Sequence, residues 1–296
     1  MKKNKSITWQ HVPAASLDLT GWKVAVVGGT GGLGRTISKS LASRGASVTV
    51  IGQTFRDEGV SNIDFVRADL SLMHEARRVA KALPAEQLDL VVFTTGIFAA
   101  PKRQETAEGL ERDMAVSYLS RLVILREIAP RLGKSRSGER AKLKPRVFVM
   151  GYPGAGQAGT LGDLNADNSY SALTVHMNTV AGNEMLVLEA AKQYPNATVF
   201  GLNPGLIKTN IRDNFLGKDS FKSRLIERTI GFFTPSPEAY AEQITPLLVS
   251  PDLEPHSGAM FDQKGDAVAP TPVLTDRTHV SRFLAESEAL VGRVTG

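Results

Sequence analysis

The segment Lys23–Leu41, KVAVVGGTGGLGRTISKSL, limits what this chain can fold into more than any other. Residues 23–27 form an apolar run rich in β-branched side chains. Glycines follow at 28, 29, 31, 32 and 34, and Leu33, Ile37 and Leu41 then recur at helical spacing. The pattern predicts a buried strand, a tight turn and a helix. A chain that leaves a strand this way aims unpaired backbone N–H groups and the positive end of a helix dipole at one spot, which suits a pyrophosphate. Tight turns also need glycine for purely conformational reasons. Here the legible strand and helix on either side favour the binding reading.

The rest of the chain repeats the alternation. Ser47–Ile51 predicts a second strand ending at Gly52-Gln53-Thr54, and 63–66 a third that leads into Ala68-Asp69-Leu70. Residues 72–83 predict an amphipathic helix closed by Pro84, and 88–93 a fourth strand running into Thr94-Thr95-Gly96-Ile97. A long helix over 106–129, a strand over 146–150, a helix over 173–194 and a strand over 198–202 that ends at Asn203-Pro204-Gly205 come next. A helix over 237–249 and a strand over 258–261 close the series. Each connection is long enough to cross a sheet, so the expected fold class is α/β, a single doubly wound parallel sheet with helices on both faces. Ligands of such sheets sit beyond the carboxyl ends of the strands, where the strand order reverses.

Residues 1–20 are polar and aperiodic and read as an arm over the surface, pinned by Trp9. Residues 21–265 form the domain and 266–296 a C-terminal segment. Within the domain, 206–236 is bounded by prolines and reads either as a lid over the crevice or as a surface excursion without a role.

Composition removes several function classes. The chain has no cysteine, so disulfides and thiolate metal sites are excluded and a reducing compartment fits. No two of the five histidines fall at i, i+4, which argues against a helical metal site. A net charge of +5 over 296 residues is mild. Its one concentration, Arg131, Lys134, Arg136, Arg140, Lys142 and Lys144 between Arg126 and Arg146, is interleaved with glycine and serine and has no aromatic, so it reads as a solvated loop rather than a nucleic-acid site. No apolar block resembles a signal peptide or a membrane span. A soluble cytoplasmic protein with a small-molecule substrate, and neither nucleic acid nor membrane as partner, is expected.

The residue at the tip of the second strand chooses between cofactors. An Asp or Glu there would bond the adenosine ribose hydroxyls and favour NAD, whereas a neutral or basic residue leaves room for the 2′-phosphate of NADP. Gln53, with Thr54 and Arg56 after it, favours NADP(H) over NAD(H), although Asp57 and Glu58 stand close behind.

From about residue 21 to 265 the chain resembles the short-chain dehydrogenase/reductase family, NAD(P)-dependent oxidoreductases built on one Rossmann-type domain. Gly28, Gly32 and Gly34, with Thr30 and Leu33 among them, match the family's glycine turn, and Asp69-Leu70 matches the pair that contacts adenine. Thr94-Thr95-Gly96 stands where the family commonly writes Asn-Asn-Ala-Gly. Pro204-Gly205 with Thr209 matches the segment that meets the nicotinamide carboxamide. The resemblance implies hydride transfer between nicotinamide and a carbonyl or alcohol of a small organic molecule. It also implies a homodimer or homotetramer paired through the long helices.

The proton-transfer residues depart from the family pattern of a tyrosine, a lysine four residues on and a serine. A phenol titrates near pH ~10 and needs a nearby positive charge to act near neutrality. Tyr170 precedes the right helix, but four residues on stands Thr174. Counting back from Pro204 places the tyrosine between Tyr170 and His176, and Thr174, Asn178 or Val180 where lysine belongs. No lysine occurs between Lys144 and Lys192. The serine is replaced in the Gly151-Tyr152 corner, and Ser117 stands for the relay asparagine. The candidate donors are Tyr170 and His176, the latter able to change charge near neutrality unaided, with Tyr152 third. A lone helical histidine is more often structural than catalytic. Two readings stay open: a reductase using one of these donors, or a dinucleotide-binding protein without dehydrogenase activity, acting as a sensor, an interaction partner or a non-redox catalyst.

Overall fold

The computed structural model describes residues 1–205 and 235–295. Its strands are Lys23–Val27 (β1), Ser47–Gly52 (β2), Ile63–Arg67 (β3), Leu90–Phe93 (β4), Arg146–Met150 (β5), Thr198–Leu202 (β6), Met260–Phe261 (β7) and Ala267–Val268 (β8). They form one sheet in the order β3-β2-β1-β4-β5-β6-β7-β8. Pairing is parallel from β3 through β7. Only β8 runs antiparallel, against β7. This addition to the expected parallel sheet is two residues long, too short for sequence periodicity to reveal. The order reverses between β1 and β4, and the loops leaving their carboxyl ends flank the place where the crevice of such a sheet takes its ligand.

Helices cover both faces. In chain order they are Gly32–Ala42 (α1), Met73–Ala82 (α2), a composite α3 over 112–128, Ala172–Gln193 (α4), Pro237–Val249 (α5) and Arg277–Thr295 (α6). Successive side chains of a strand point to opposite faces, so Val24 and Val26 join the core under α1 and α5. Ala25 and Val27 join the core under α2, α3, α4 and α6.

The helix expected from residue 106 begins at 112 instead. Residues 106–111 turn back on themselves, the Thr106 N–H donating to Leu110 O at 2.9 Å, and Glu111 caps the helix by accepting from the Met114 N–H at 2.7 Å. Arg112–Met114 is α-helical, Ala115–Leu119 widens into a π turn, and Ser120–Ile128 resumes the α-helix. The Asn183 amide of α4 donates to Ser117 O inside the widened turn at 2.9 Å. The two helices touch across Gly182, where an added Cβ would lie 2.8 Å from the Tyr118 ring.

The basic stretch keeps Lys134, Lys142 and Lys144 exposed, as its composition suggested, but its arginines are anchored. Asp89, at the start of β4, is buried and needs counter-charge. Arg136 folds back to pair with it at 2.7 Å and Arg140 at 2.9 Å. Arg131 donates to Leu83 O at 2.9 Å, satisfying a carbonyl just past α2.

The amino-terminal arm is pinned as expected of Trp9, whose indole N–H donates to Gly265 O at 2.8 Å. At the other end, α6 lies against the outer faces of α3 and α4. Phe283 is fully buried there, Tyr118 Oη donates to Ser287 Oγ at 3.1 Å, and Arg126 pairs with Glu288 at 2.8 Å. Among the described residues no helix is long and apolar enough to cross a membrane. The proposed lid, 206–236, lies outside the described residues over 206–234, and Thr209 with it.

Candidate active site

The turn after β1 is shaped by close approach. Gly28 has φ +91°, and a Cβ on it would stand 2.6 Å from the Thr95 N. A Cβ on Gly34 would stand 2.3 Å from Thr94 Oγ1 and 2.4 Å from Gly28 O. These two glycines let α1 settle directly onto the ends of β1 and β4. Gly32, also at positive φ, begins α1. The helix has neither a side-chain cap nor an acidic residue in its first turn. Among the described residues the Thr30 and Gly31 N–H groups meet no backbone acceptor. Leu33 is half-buried beside them. The turn therefore collects backbone donors at the positive end of a helix dipole, with no carboxylate in that first turn to answer them.

At the carboxyl end of β2, Gln53 and Thr54 are exposed. Asp57, which kept the NAD alternative alive in the sequence, is turned inward and held by Arg35 through Nε at 2.8 Å and Nη2 at 2.6 Å. Its carboxyl lies below the ordinary range, first because of the Arg35 hydrogen bond, against the opposing effect of burial. Arg56 is exposed and reaches back over the glycine turn, Nη1 donating to Thr30 O at 3.2 Å. Asp69, past β3, accepts from the Ser71 N–H at 3.0 Å and Oγ at 2.7 Å. Burial pushes its carboxyl up, but the Ser71 and Gln53 hydrogen bonds together with the Arg112 charge outweigh this and leave it below the ordinary range. Leu70 beside it is buried in the core.

The floor of the crevice is built by the ends of β4 and β5. Thr94 Oγ1 donates to Val27 O at 3.0 Å, while Thr95 Oγ1 is buried without a partner among the described residues. Gly96 is half-buried and continues into Ile97 and Phe98. Beneath them lies Arg121, 3% exposed, whose guanidinium donates to Thr95 O, Met150 O and, at 2.9 Å, Asn183 Oδ1. Burial pulls its pKa down to about 9 against the attraction of Asp113. Across the crevice, Gly205 has φ +69° and its N–H donates to Asn203 Oδ1 at 2.8 Å, fixing the Pro204-Gly205 corner.

The three donor candidates end up in different settings. Tyr152 is 46% exposed. Tyr170 donates its hydroxyl to Ala100 O, and burial, then the Glu111 and Asp113 charges, push its pKa up. His176, in the second turn of α4, has its Nδ1 2.8 Å from Oδ2 of Asp113, and the Phe98 ring stacks on it at 4.2 Å between centroids. Asp113 is fully buried. Its Oδ1 accepts from Ser117 Oγ at 2.5 Å, and Ser117 Oγ accepts from the Ile97 N–H at 3.0 Å. Of the three positions where the expected lysine could fall, Asn178 and Val180 are buried and Thr174 is exposed.

The sequence reading missed Asp113, Arg121, Asn183 and Phe98. A signal was present: Asp113, Ser117 and Arg121 are spaced by four, which aligns them along one side of a helix.

The sheet order, the glycine turn and the crevice above them define a Rossmann-type α/β protein. A family model described as short chain dehydrogenase matches residues 23–141. The protein called Uncharacterized oxidoreductase YKL107W, of Saccharomyces cerevisiae, is 51% identical over 98% of this chain and 94% of its own length. Retinol dehydrogenase 12 of Bos taurus is 24% identical over 86% of this chain and 82% of its own. Among solved structures, an uncharacterised protein from Mycobacterium paratuberculosis shares the fold with a TM-score of 0.71 at 19% identity, over 96% of this chain and 98% of that one. The chain belongs to the short-chain dehydrogenase/reductase family of oxidoreductases, a family that binds NAD(P).

Proposed function

We propose that this protein is an NADP(H)-dependent reductase of a carbonyl group on a small organic molecule, working in the cytoplasm and able to run in reverse on the alcohol. The observation that carries the cofactor choice is the pair of arrangements at the end of β2: Asp57 is neutralised by Arg35, and Arg56 lies free of any carboxylate partner in the hydrogen bonds of the described residues, next to the glycine turn. A 2′-phosphate placed there meets a guanidinium rather than a carboxylate. The diphosphate falls to the N–H groups of Thr30 and Gly31 and the first turn of α1, with Gly28, Gly32, Leu33 and Gly34 shaping the cradle. Gln53, Asp69 and Leu70 border the adenosine, Thr94, Thr95 and Gly96 the middle of the cofactor, and Pro204, Gly205 and Thr209 the carboxamide.

When bound, the cofactor supplies a hydride to the carbonyl carbon. The chain must then supply a proton to the oxygen, from Tyr170 or His176. The likeness to a protein named as a retinol dehydrogenase supports an alcohol or carbonyl as the reacting group. The lysine-free start of α4 favours a second reading, a dinucleotide-binding protein that carries out no hydride transfer.

One experiment on one sample separates the two. NADPH and NADH are titrated by cofactor fluorescence, and oxidation of the bound cofactor is followed with a panel of short aldehydes and ketones. Preferential NADPH binding with turnover supports the reductase; saturable binding without any turnover supports the second reading; tighter NADH binding refutes the assignment of Arg56.

A further inference from the structure

The reductase reading needs a proton source, and the lysine that would activate a tyrosine is missing. Tyr170 is poorly suited to replace it, because its hydroxyl is already given to Ala100 O. His176 has the opposite character. One ring nitrogen faces a fully buried carboxylate at 2.8 Å, the ring plane is fixed by Phe98, and the side chain keeps 17% exposure. Among the described residues its Nε2 makes no hydrogen bond, the ring's one hydrogen-bond partner being Asp113 at Nδ1.

Resting on that reading, we propose that His176 is the catalytic proton donor and that Asp113 is its positioning residue, an imidazole–carboxylate pair doing the work a tyrosine–lysine pair does elsewhere in the family. A carboxylate has no proton to give, so Nδ1 carries the hydrogen of the shared bond and Nε2 is the nitrogen presented to the crevice. Asp113 is in turn held: Ser117 Oγ donates to its other oxygen at 2.5 Å. Ser117 is fixed by the Ile97 N–H at 3.0 Å and its carbonyl by Asn183 at 2.9 Å. Arg121, whose guanidinium also bonds Asn183, provides a buried positive charge on the same helix. The π turn of α3 lies between Asp113 and Arg121 and keeps the carboxylate aimed at α4.

In carbonyl reduction the doubly protonated His176 gives its Nε2 proton to the substrate oxygen as the carbon gains the hydride and its two electrons. The products are the alcohol, oxidised cofactor and a neutral imidazole that still donates from Nδ1 to Asp113. Solvent returns the proton. In alcohol oxidation the neutral Nε2 accepts the hydroxyl proton.

The test uses full-length wild type, His176→Gln and Asp113→Asn, with folding checked by circular dichroism. NADPH affinity is measured first and is expected to stay within about twofold in both variants. His176→Gln should then lose roughly 10²-fold or more of kcat with little change in KM, as expected for a general acid. Asp113→Asn should lower kcat and, in protein labelled with ¹⁵N-histidine, move the neutral-ring hydrogen of His176 from Nδ1 to Nε2, because an amide can donate to Nδ1 where a carboxylate cannot. A His176→Gln variant keeping more than a third of wild-type kcat, a neutral wild-type ring carrying its one hydrogen on Nε2 instead of Nδ1, or binding of NADPH without turnover of any carbonyl would each overturn the proposal. If wild type binds neither dinucleotide, the reductase reading itself fails, and the binding step exposes this before the variants are compared. Should Asp113→Asn fail to fold, His176→Gln and the wild-type tautomer decide alone.

Discussion

Two neighbouring glycines, Gly31 and Gly34, should respond to alanine in opposite ways. On Gly34 a methyl group would lie 2.3 Å from Thr94 Oγ1 and 2.4 Å from the Gly28 carbonyl oxygen. The hydroxyl can rotate away, but the carbonyl belongs to the backbone of the turn and cannot yield without moving β1 from α1. Overpacking of this kind costs up to about 3 kcal/mol, and the better helix propensity of alanine returns about 1 kcal/mol, leaving a net loss of about 2 kcal/mol. With an unfolding entropy of roughly 0.6 kcal/mol/K for a chain of this size, that is a fall in Tm of about 3 °C. Gly31 has φ −156°, an extended conformation open to any residue. Its added methyl meets only the flexible end of Arg56, at 3.4 Å. The loss of a favourable N-cap, about 1 kcal/mol, is offset by the smaller entropy of the unfolded chain, roughly 0.4–1 kcal/mol. Gly31→Ala should therefore unfold within about 1 °C of wild type yet bind NADPH at least about tenfold more weakly, since the methyl crowds the donors of the turn. Differential scanning fluorimetry and a cofactor fluorescence titration read both effects. A Gly31→Ala protein with unchanged affinity, or a Gly34→Ala protein as stable as wild type, would refute the division of the turn into a packing glycine and a binding one.

Other outcomes follow from the same geometry. Arg56→Ala should weaken NADPH by about tenfold, the worth of one charge-assisted hydrogen bond, and leave NADH nearly unchanged; equal losses for both cofactors would remove Arg56 from the 2′-phosphate. Because α6 packs against α3 and α4, pairing through those helices should be disfavoured, and light scattering should give a monomer near the chain mass of 31.8 kDa; a stable dimer or tetramer, as the family resemblance implies, would contradict this. The Asp57–Arg35 pair has a lowered carboxyl pKa, so its stabilisation is present above the unfolded value of ~3.9 and is lost as pH falls through the folded value. Unfolding free energies of wild type and Asp57→Asn from urea titration should differ at pH 7 by about 1 kcal/mol, discounted because Arg35 is 36% exposed, and should converge once the pH is below the folded value.

Much of the fold was legible because strand and helix periods alternate cleanly, and the cofactor turn was legible because its glycines are forced by contacts as short as 2.3 Å. Local pattern could not supply what depends on partners far along the chain. The anchoring of the basic stretch's arginines was hidden because nothing near it in sequence reveals Asp89, 47 residues before Arg136. The start of α3 was misjudged because Thr106–Leu110 has helix-compatible composition and is turned aside by its own backbone bond. Tyr170 and His176 could not be ranked from sequence, since the difference lies in Ala100 O and Asp113, 70 and 63 residues away. Asp57 likewise counted toward NAD until Arg35 was seen to hold it.

The most direct test of the central claim is calorimetric titration of the wild-type protein with NADPH, repeated with NADH. Saturable one-to-one heat with NADPH, and a weaker response to NADH, is the predicted result. A flat trace with both dinucleotides at millimolar concentration would mean that the uncapped helix and its glycine turn hold no cofactor, and the catalytic assignments built above them would fall with it.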